Sequence, residues 1–470
     1  MKRLSSFDLM FLRLETREWP CHFGGLAVVD GATLVDGEGR LRIEEIAARL
    51  EPRLARVPAL RRRLLVPGPL GGRPLWVDDP RFSVARHLRQ VAVPAPGDDR
   101  RLLETAARVY GPRLDRRRPL WELWFLTGLA DDRVGVLLKL HHAVADGMAA
   151  VAIMGSLFDA DPNVPDPPPA PWAPEPTPSG WSLVADNLAT RWAALRRALA
   201  AVRRPERFGA SLRRARRIAV SYAGRNPELQ AARTSLNRPV RAGRRVGFLR
   251  LELADVKDVA HAHGGTVNDV VLDLWAGGLR HLLVSRGESV SGLELITGVP
   301  VSLRPEGDAT VENRSGWIAL PLPAWEADAA RRLALIAERT RTTKATQQPA
   351  AIAGFMAALA ATPIGRAYTT RQRTSHTVVT NVPGPPAPVY LLGARVRGLF
   401  PIIELVGNLG QTLCAFSYDG AISLVVTADA TTFPDLDVLV EGMARCWDAL
   451  TTTAGPGVSV VSGVNEGRAP

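Results

Sequence analysis

Cysteine is scarce in this chain. Cys21, Cys414 and Cys446 are the only three in 470 residues, and no two form a CxxC pair. That excludes a disulfide scaffold and the usual cysteine-based zinc and redox motifs. Lysine is nearly as rare: Lys2, Lys139, Lys257 and Lys344 are the four, so arginine supplies most of the 59 basic residues behind a net charge of +12. Arginine enrichment with so little lysine follows a coding bias, so the placement of charge says more about partners than its sum. Long apolar runs are also missing. The nearest is the uncharged stretch 345–365, which Pro349 and Pro363 interrupt. Its helical part is too short for a bilayer core of about 30 Å and reads as a buried, small-residue helix. At the N-terminus the apolar stretch Phe7 to Leu12 is short, broken by Asp8, and followed by no small-residue cleavage site. The expectation is a cytoplasmic protein. Phosphate-binding G-x-G-x-x-G and Walker loops are absent, as is a G-x-S-x-G nucleophile elbow.

What is present is ordinary for a globular chain: 46% apolar and 23% charged residues. A chain this long splits into more than one core. Residues 159–180 hold nine prolines in 22 positions, which favours extended polyproline II and builds no core. We therefore divide the chain into a lobe at 1–158, a linker and basic helical segment at 159–225, and a second lobe at 226–470.

Within the middle segment, apolar residues recur at 181, 184, 188, 192, 195, 199 and 202, a helical stripe. Ten arginines and one acid lie between Arg191 and Arg217. One reading is a helix packed on the body with a solvated arginine face. The other is a membrane-surface helix, with Trp181 and Trp192 at the interface and Arg196, Arg197, Arg203 and Arg204 near anionic head groups. No aromatic-plus-glycine module accompanies the charge, which argues against nucleic acid.

Both lobes mix helices and strands. The first shows a helix over 43–60, strands over 121–129 and 134–142, and a helix over 147–159. In the second, strands are expected at 246–253, 293–303, 376–384, 411–420 and 421–429, the last two joined at Asp419-Gly420. Helices are expected at 266–287 and 435–452. Strands alternating with helices in two comparable lobes indicate a two-lobed α/β (α+β) protein.

The chemistry concentrates in HHAVADG, 141–147, where a strand ends and a helix begins. His142 is the natural general base. Asp146 can brace the loop through a buried ion pair, and Gly147 permits a tight turn. His142 and Asp146 could also ligate a metal, but no third ligand is apparent nearby. A base without a protein nucleophile suggests direct transfer: an acceptor loses its proton to His142 and attacks an activated acyl group.

H-H-x-x-x-D-G after a strand in a two-lobed chain resembles the acyltransferases related to chloramphenicol acetyltransferase and peptide-synthetase condensation domains. Residues 5–31, RVPALRRRLL (56–65), RPLWELW (118–124), TVNDVVL (266–272), VPVSLRPE (299–306), TNVPGP (380–385) and FSYDG (416–420) are similar, in order, to bacterial wax ester synthase/diacylglycerol acyltransferases. The resemblance implies that the active site lies in a tunnel between lobes, with His142 as base, His141 as its support, Asp146 as structural acid and Gly147 as turn residue. It also implies an arginine partner for Asp146. Arg61 fits best, with Arg62 and Arg63 adjacent. Asn268 and Asp269 match a second family motif. Read from the residues, Asn268 is an N-cap and Asp269 suits the helix dipole, so both are expected to support the structure. The helix 350–361, with Gly354, Ala357 and Ala358, either lines an acyl channel or packs closely against a neighbour. The implied activity is acyl-CoA-dependent O-acyl transfer to diacylglycerol or a long-chain alcohol, with acyl-CoA as co-substrate and neither cofactor nor metal. The implied setting is peripheral, at the inner face of the plasma membrane or on lipid droplets. Alternatives are a carrier-protein-dependent acyltransferase or condensation enzyme, and a non-catalytic lipid-surface protein.

Overall fold

A computed structural model of the chain describes residues 3–145, 152–168, 172–202, 231–302, 315–346, 367, 369–452 and 461–462. In chain order the first half comprises α1 (Ser6–Leu14), β1 (His22–Asp30), α2 (Ile43–Leu54), β2 (Arg62–Leu65), β3 (Leu75–Asp78), β4 (Leu88–Ala92), α3 (Asp99–Tyr110), β5 (Trp121–Thr127) and β6 (Arg133–His141). The helix α4 (Gly180–Val202) follows. The second half comprises β7 (Arg244–Glu252), α5 (Leu253–Ala262), α6 (Val267–Ser285), β8 (Glu294–Ser302), β9 (Ser315–Pro323), α7 (Ala329–Thr346), β10 (Thr377–Val382), β11 (Tyr390–Leu391), β12 (Ala394–Ile402), β13 (Gln411–Tyr418), β14 (Ala421–Asp429), α8 (Leu436–Thr452) and β15 (Val461–Ser462).

Two mixed sheets organise most of these elements, and β2 and β3 form a separate antiparallel pair. One has the order β11-β12-β1-β6-β5-β4, the other β15-β7-β14-β13-β10-β8-β9. The two-lobed α/β expectation therefore holds. The chain does not respect a simple division at residue 226, however, because β11 and β12 leave the second half and complete the first sheet. Gly24 of β1 lies opposite Ile402 on one side, and His22 lies opposite His141 on the other.

Alternation along β1 shows why it sits centrally. Ala27 and Val29 point into the core under α2, whereas Leu26 and Val28 join Leu102 and Leu137 on the opposite face. That second cluster includes Phe248 and Val425 from the other sheet, so the lobes share a packed apolar layer. β14 is buried along its whole length, and the turn before it has Asp419 at φ 47° and Gly420 at φ 80°. Two positive-φ residues in a two-residue hairpin match the strand twist.

Behind the second sheet, α6 and α8 pack closely enough that a side chain at Gly278 would strike Met443, and one at Gly442 would strike His281. Arg332 of α7 reaches into this layer, where its Nε donates to Asp273 at 2.7 Å, both residues being almost fully buried.

The described part of the proline-rich linker has no regular structure and is pinned along the first lobe. Arg53 pairs with Asp159 and Asp166, and Trp172 lies edge-on to Phe82. α4 then docks by its first turns alone. Leu183 is buried with Leu75 and Val77, Asp186 accepts from Arg3 Nε at 2.6 Å, and Asn187 donates to the Leu70 carbonyl. At 3.6 residues per turn these lie across the helix from the apolar stripe. Trp181, Leu188, Trp192, Leu195 and Leu199 face solvent, with Trp181 85% and Trp192 64% exposed. Arg196 and Arg197 are exposed, and Arg203 and Arg204 lie outside the described residues. Among the described residues no helix is long and apolar enough to cross a membrane.

Candidate active site

The site forms where β6 ends. Leu120 accepts the amide of His141, Cys21 accepts that of His142 at 2.9 Å, and the turn closes as Val144 donates back to the His141 carbonyl. Strand pairing thus delivers both histidines to fixed positions. His141 is fully buried, while the His142 side chain keeps 19% exposure.

His141 accepts the Ala143 amide at Nδ1, so its ring proton is on Nε2. That nitrogen faces Glu15 Oε1 at 3.5 Å, longer than a relaxed hydrogen bond. Glu15 ends α1, is almost completely buried, and takes two hydrogen bonds from Arg116, at 3.0 and 2.6 Å. Burial pushes the His141 imidazole below its usual range, against the pull of Glu15. Burial pushes the Glu15 carboxyl up, but His141 and Arg116 together hold it below its ordinary value. The result is a neutral histidine beside a carboxylate whose charge Arg116 balances.

His142 is held differently. Its ring stacks on Phe11 at 4.1 Å and 12°, and meets Phe23 edge-on at 5.4 Å and 83°. Its Nε2 faces Glu404 Oε1 at 3.4 Å. Glu404 follows β12, so the strand that crosses between lobes carries an acid to the candidate base.

The other expected residues are distributed as follows. Asp146 and Gly147 lie outside the described residues, as do Gly354, Ala357 and Ala358. Arg61 is seen from its own side: its Nη1 donates to the Ala55 carbonyl and its guanidinium lies 4.8 Å over the Trp172 ring. Arg62 faces Asp78 at 3.4 Å. At the start of α6 the cap is Thr266, not Asn268. Asp269 Oδ2 accepts from the Thr266 amide at 2.8 Å and from its hydroxyl at 2.7 Å, while that hydroxyl accepts the Asp269 amide. This reciprocal box satisfies two end amides, and it needs a hydroxyl three residues before the acid. Asn268 sits within the first turn and is half-buried. Among the described residues no group of His, Cys, Asp and Glu is arranged to hold a metal.

Glu15, Arg116 and Glu404 were not anticipated. Two signals existed. Phe7, Phe11 and Glu15 recur every four residues, one helical stripe ending in an acid. Glu404 is the one charge between Arg397 and Asp419.

A histidine pair at a strand end, with one ring braced by a carboxylate and the other partly open between aromatic rings, is suited to proton transfer at the open ring. Comparison with known proteins agrees. The family description "Wax ester synthase/diacylglycerol acyltransferase catalytic domain" matches residues 4–271, and the corresponding C-terminal domain matches 311–450. The chain belongs to the wax ester synthase/diacylglycerol acyltransferase family. A Mycobacterium tuberculosis protein named as a diacylglycerol O-acyltransferase is 32% identical over 459 residues, covering 94% of this chain and 88% of that one. Another from the same organism, named as the diacylglycerol O-acyltransferase tgs1, is 32% identical over 94% of both chains. Among solved structures, the wax ester synthase/diacylglycerol acyltransferase from Marinobacter aquaeolei VT8 shares the fold, with TM-score 0.71 and 23% identity, over 97% of this chain and all of that one. The first condensation domain of the CDA synthetase superposes with TM-score 0.56 and 17% identity over 98% of this chain and 99% of that one. The chain is an acyltransferase.

Proposed function

We propose that this chain transfers a fatty acyl group from acyl-CoA directly to the hydroxyl of a diacylglycerol or long-chain alcohol, with His142 as general base. The observation that carries this is the His142 ring, which is partly open while its plane is fixed by Phe11 and Phe23. A thioester is already activated and needs no covalent intermediate. An alcohol is a poor nucleophile until its proton is taken in the transition state, and a positioned base contributes about 10²–10⁴-fold. In this reading His141 supports the loop, Asp146 braces it with Arg61, Gly147 makes the turn, and Asn268 and Asp269 shape the start of α6. Gly354, Ala357 and Ala358 are channel-lining candidates on the same reading.

The setting follows from the acceptor, which partitions into lipid. The outward stripe of α4 supports peripheral contact with an anionic surface, the inner face of the plasma membrane or a lipid droplet. A carrier-protein-dependent reaction has no specific observation in its favour.

Purified protein with palmitoyl-CoA and a panel of diacylglycerols, alcohols and amines tests this through release of the CoA thiol. Release requires both substrates and falls by about two orders of magnitude or more in His142→Ala, with unchanged folding. Near-normal transfer by His142→Ala overturns the mechanism, and preference for amines overturns the acceptor class.

A further inference from the structure

Glu404 sits in an uncharged stretch, Gly398 to Tyr418, as its sole charge. Its side chain is 12% exposed. Packing there would be served by leucine or methionine, and a carboxylate withdrawn from water is unfavourable unless a partner meets it. The partner is His142 Nε2. Phe11 and Phe23 fix the plane of that ring. The carboxylate adds a negative charge directly opposite Nε2.

We propose that Glu404 is a positioning residue for acyl transfer: it orients the His142 ring and stabilises the imidazolium formed during the reaction. The proposal rests on His142 being the base. As the acceptor oxygen bonds to the thioester carbon, its proton passes to His142 Nε2, and the Nε2–H so formed lies against Glu404. The carbon–sulfur bond then breaks, and the imidazolium returns the proton to the CoA thiolate. Glu404 forms no covalent bond in these steps. The 3.4 Å separation is long for a hydrogen bond to a neutral ring, and contacts of this kind shorten when both partners are charged. Because β12 belongs by sequence to the second half but pairs with β1, the charge that serves the base comes from the second half of the chain and sits on the first sheet.

Other titratable and charged groups surround the ring. His141 adjoins it, with Glu15 and Arg116 behind. Cys21 and Tyr110 lie on the β1 side, where each is affected by the Glu404 charge, and Arg244 acts on Tyr110. Asp146 belongs to the same loop and lies outside the described residues. Glu404→Gln leaves each of these residues in place and eases the upward push on Cys21 and Tyr110, which stay protonated near neutral pH.

The experiment measures kcat and KM for CoA release by wild type, Glu404→Gln, Glu404→Asp and His142→Ala. Glu404→Gln lowers kcat about tenfold or more, with little change in KM for acyl-CoA. Glu404→Asp, which keeps the carboxylate, recovers part of the rate. A Glu404→Gln enzyme with unchanged kcat, beside an inactive His142→Ala, overturns the proposal and leaves the base assignment standing. Full activity of His142→Ala overturns the underlying reading and the proposal with it. If Glu404→Gln does not fold, Glu404→Met carries the test, and a wild-type kcat there overturns it.

Discussion

Glu15 Oε1 lies 3.5 Å from His141 Nε2, and both side chains are buried. This contact joins the end of α1 to the end of β6 beneath the candidate base. It is a neutral ring against a charged carboxylate, because the Ala143 amide occupies Nδ1 and burial keeps the ring unprotonated.

Glu15→Gln is therefore expected to cost about 2 kcal/mol near neutral pH, the scale of a hydrogen bond to a charged group. The folded-state value of Glu15 lies below its usual 4.5. Its contribution is then fully present above about 4.5 and is lost as pH falls through the lower folded-state value. Urea titrations of both proteins across that window should show the difference narrowing toward acid. A constant gap would mean that Glu15 contributes by shape alone. Activity should fall as well, since His141 loses its brace.

His376 provides a separate acid sensor in the second lobe. Its Nδ1 accepts the Ile296 amide, its Nε2 donates to the Ala232 carbonyl, and burial lowers it from 6.5 to about 4. Below 6.5 the unfolded chain takes up a proton that the folded chain refuses. Stability should decline as pH falls from 6.5 to about 4 and then level off for this group. The total is roughly 3 kcal/mol at about 1.4 kcal/mol per pH unit. His376→Gln should flatten that part of the stability curve, and an unchanged slope would rule His376 out as its source.

Much of the architecture was legible. VGVLLKLHH is an apolar run ended by two histidines, and it folded as β6 with its turn. The Asp419-Gly420 signal gave its hairpin. The crossing of β12 was not legible, because pairing between Gly24 and Ile402 leaves no local trace in either segment. Glu404 was missed with it. Glu15 was missed because a lone acid at a helix end reads as a solvated charge; its burial depends on Arg116 and His141, both far along the chain. Asn268 was misread because two residues upstream Thr266 offers an equally good cap, and only the position of Asp269 decides between them.

Asp273 and Arg332 form a buried ion pair, and Cys446 lies 2.8 Å from Arg332 Nη2. Removing one partner leaves an uncompensated charge, so Asp273→Asn or Arg332→Met should each cost about 3–5 kcal/mol. A double variant, Asp273→Leu with Arg332→Met, should recover much of that loss, because no charge remains in the layer between α6, α7 and α8. Denaturant midpoints of the three variants check this. A double variant as unstable as the sum of the singles would mean the pair is held by packing rather than by charge. Catalysis per folded molecule should be unchanged, since the pair lies behind the second sheet.

The orientation of α4 leads to the last prediction. If the apolar stripe existed to pack the helix on the body, Trp181 and Trp192 would be covered. Instead the opposite face docks, through Leu183, Asp186 and Asn187, and the stripe points outward beside Arg196 and Arg197. An exposed row of tryptophan and leucine flanked by arginine suits the head-group region of a bilayer, where each basic residue contributes about 1 kcal/mol at most and salt weakens it. Binding to vesicles containing phosphatidylserine should exceed binding to phosphatidylcholine vesicles and should decline as salt rises. Trp192→Ser with Leu195→Ser should reduce binding to both compositions. Replacing Arg196, Arg197, Arg203 and Arg204 by Gln should remove mainly the preference for the anionic surface. Neither set touches His142, so transfer to a soluble short-chain alcohol should stay near wild type while transfer to vesicle-borne diacylglycerol falls. Co-sedimentation measures the first effect and CoA release the second. Equal vesicle binding by wild type and both variants would reduce α4 to a solvated strut on the first lobe.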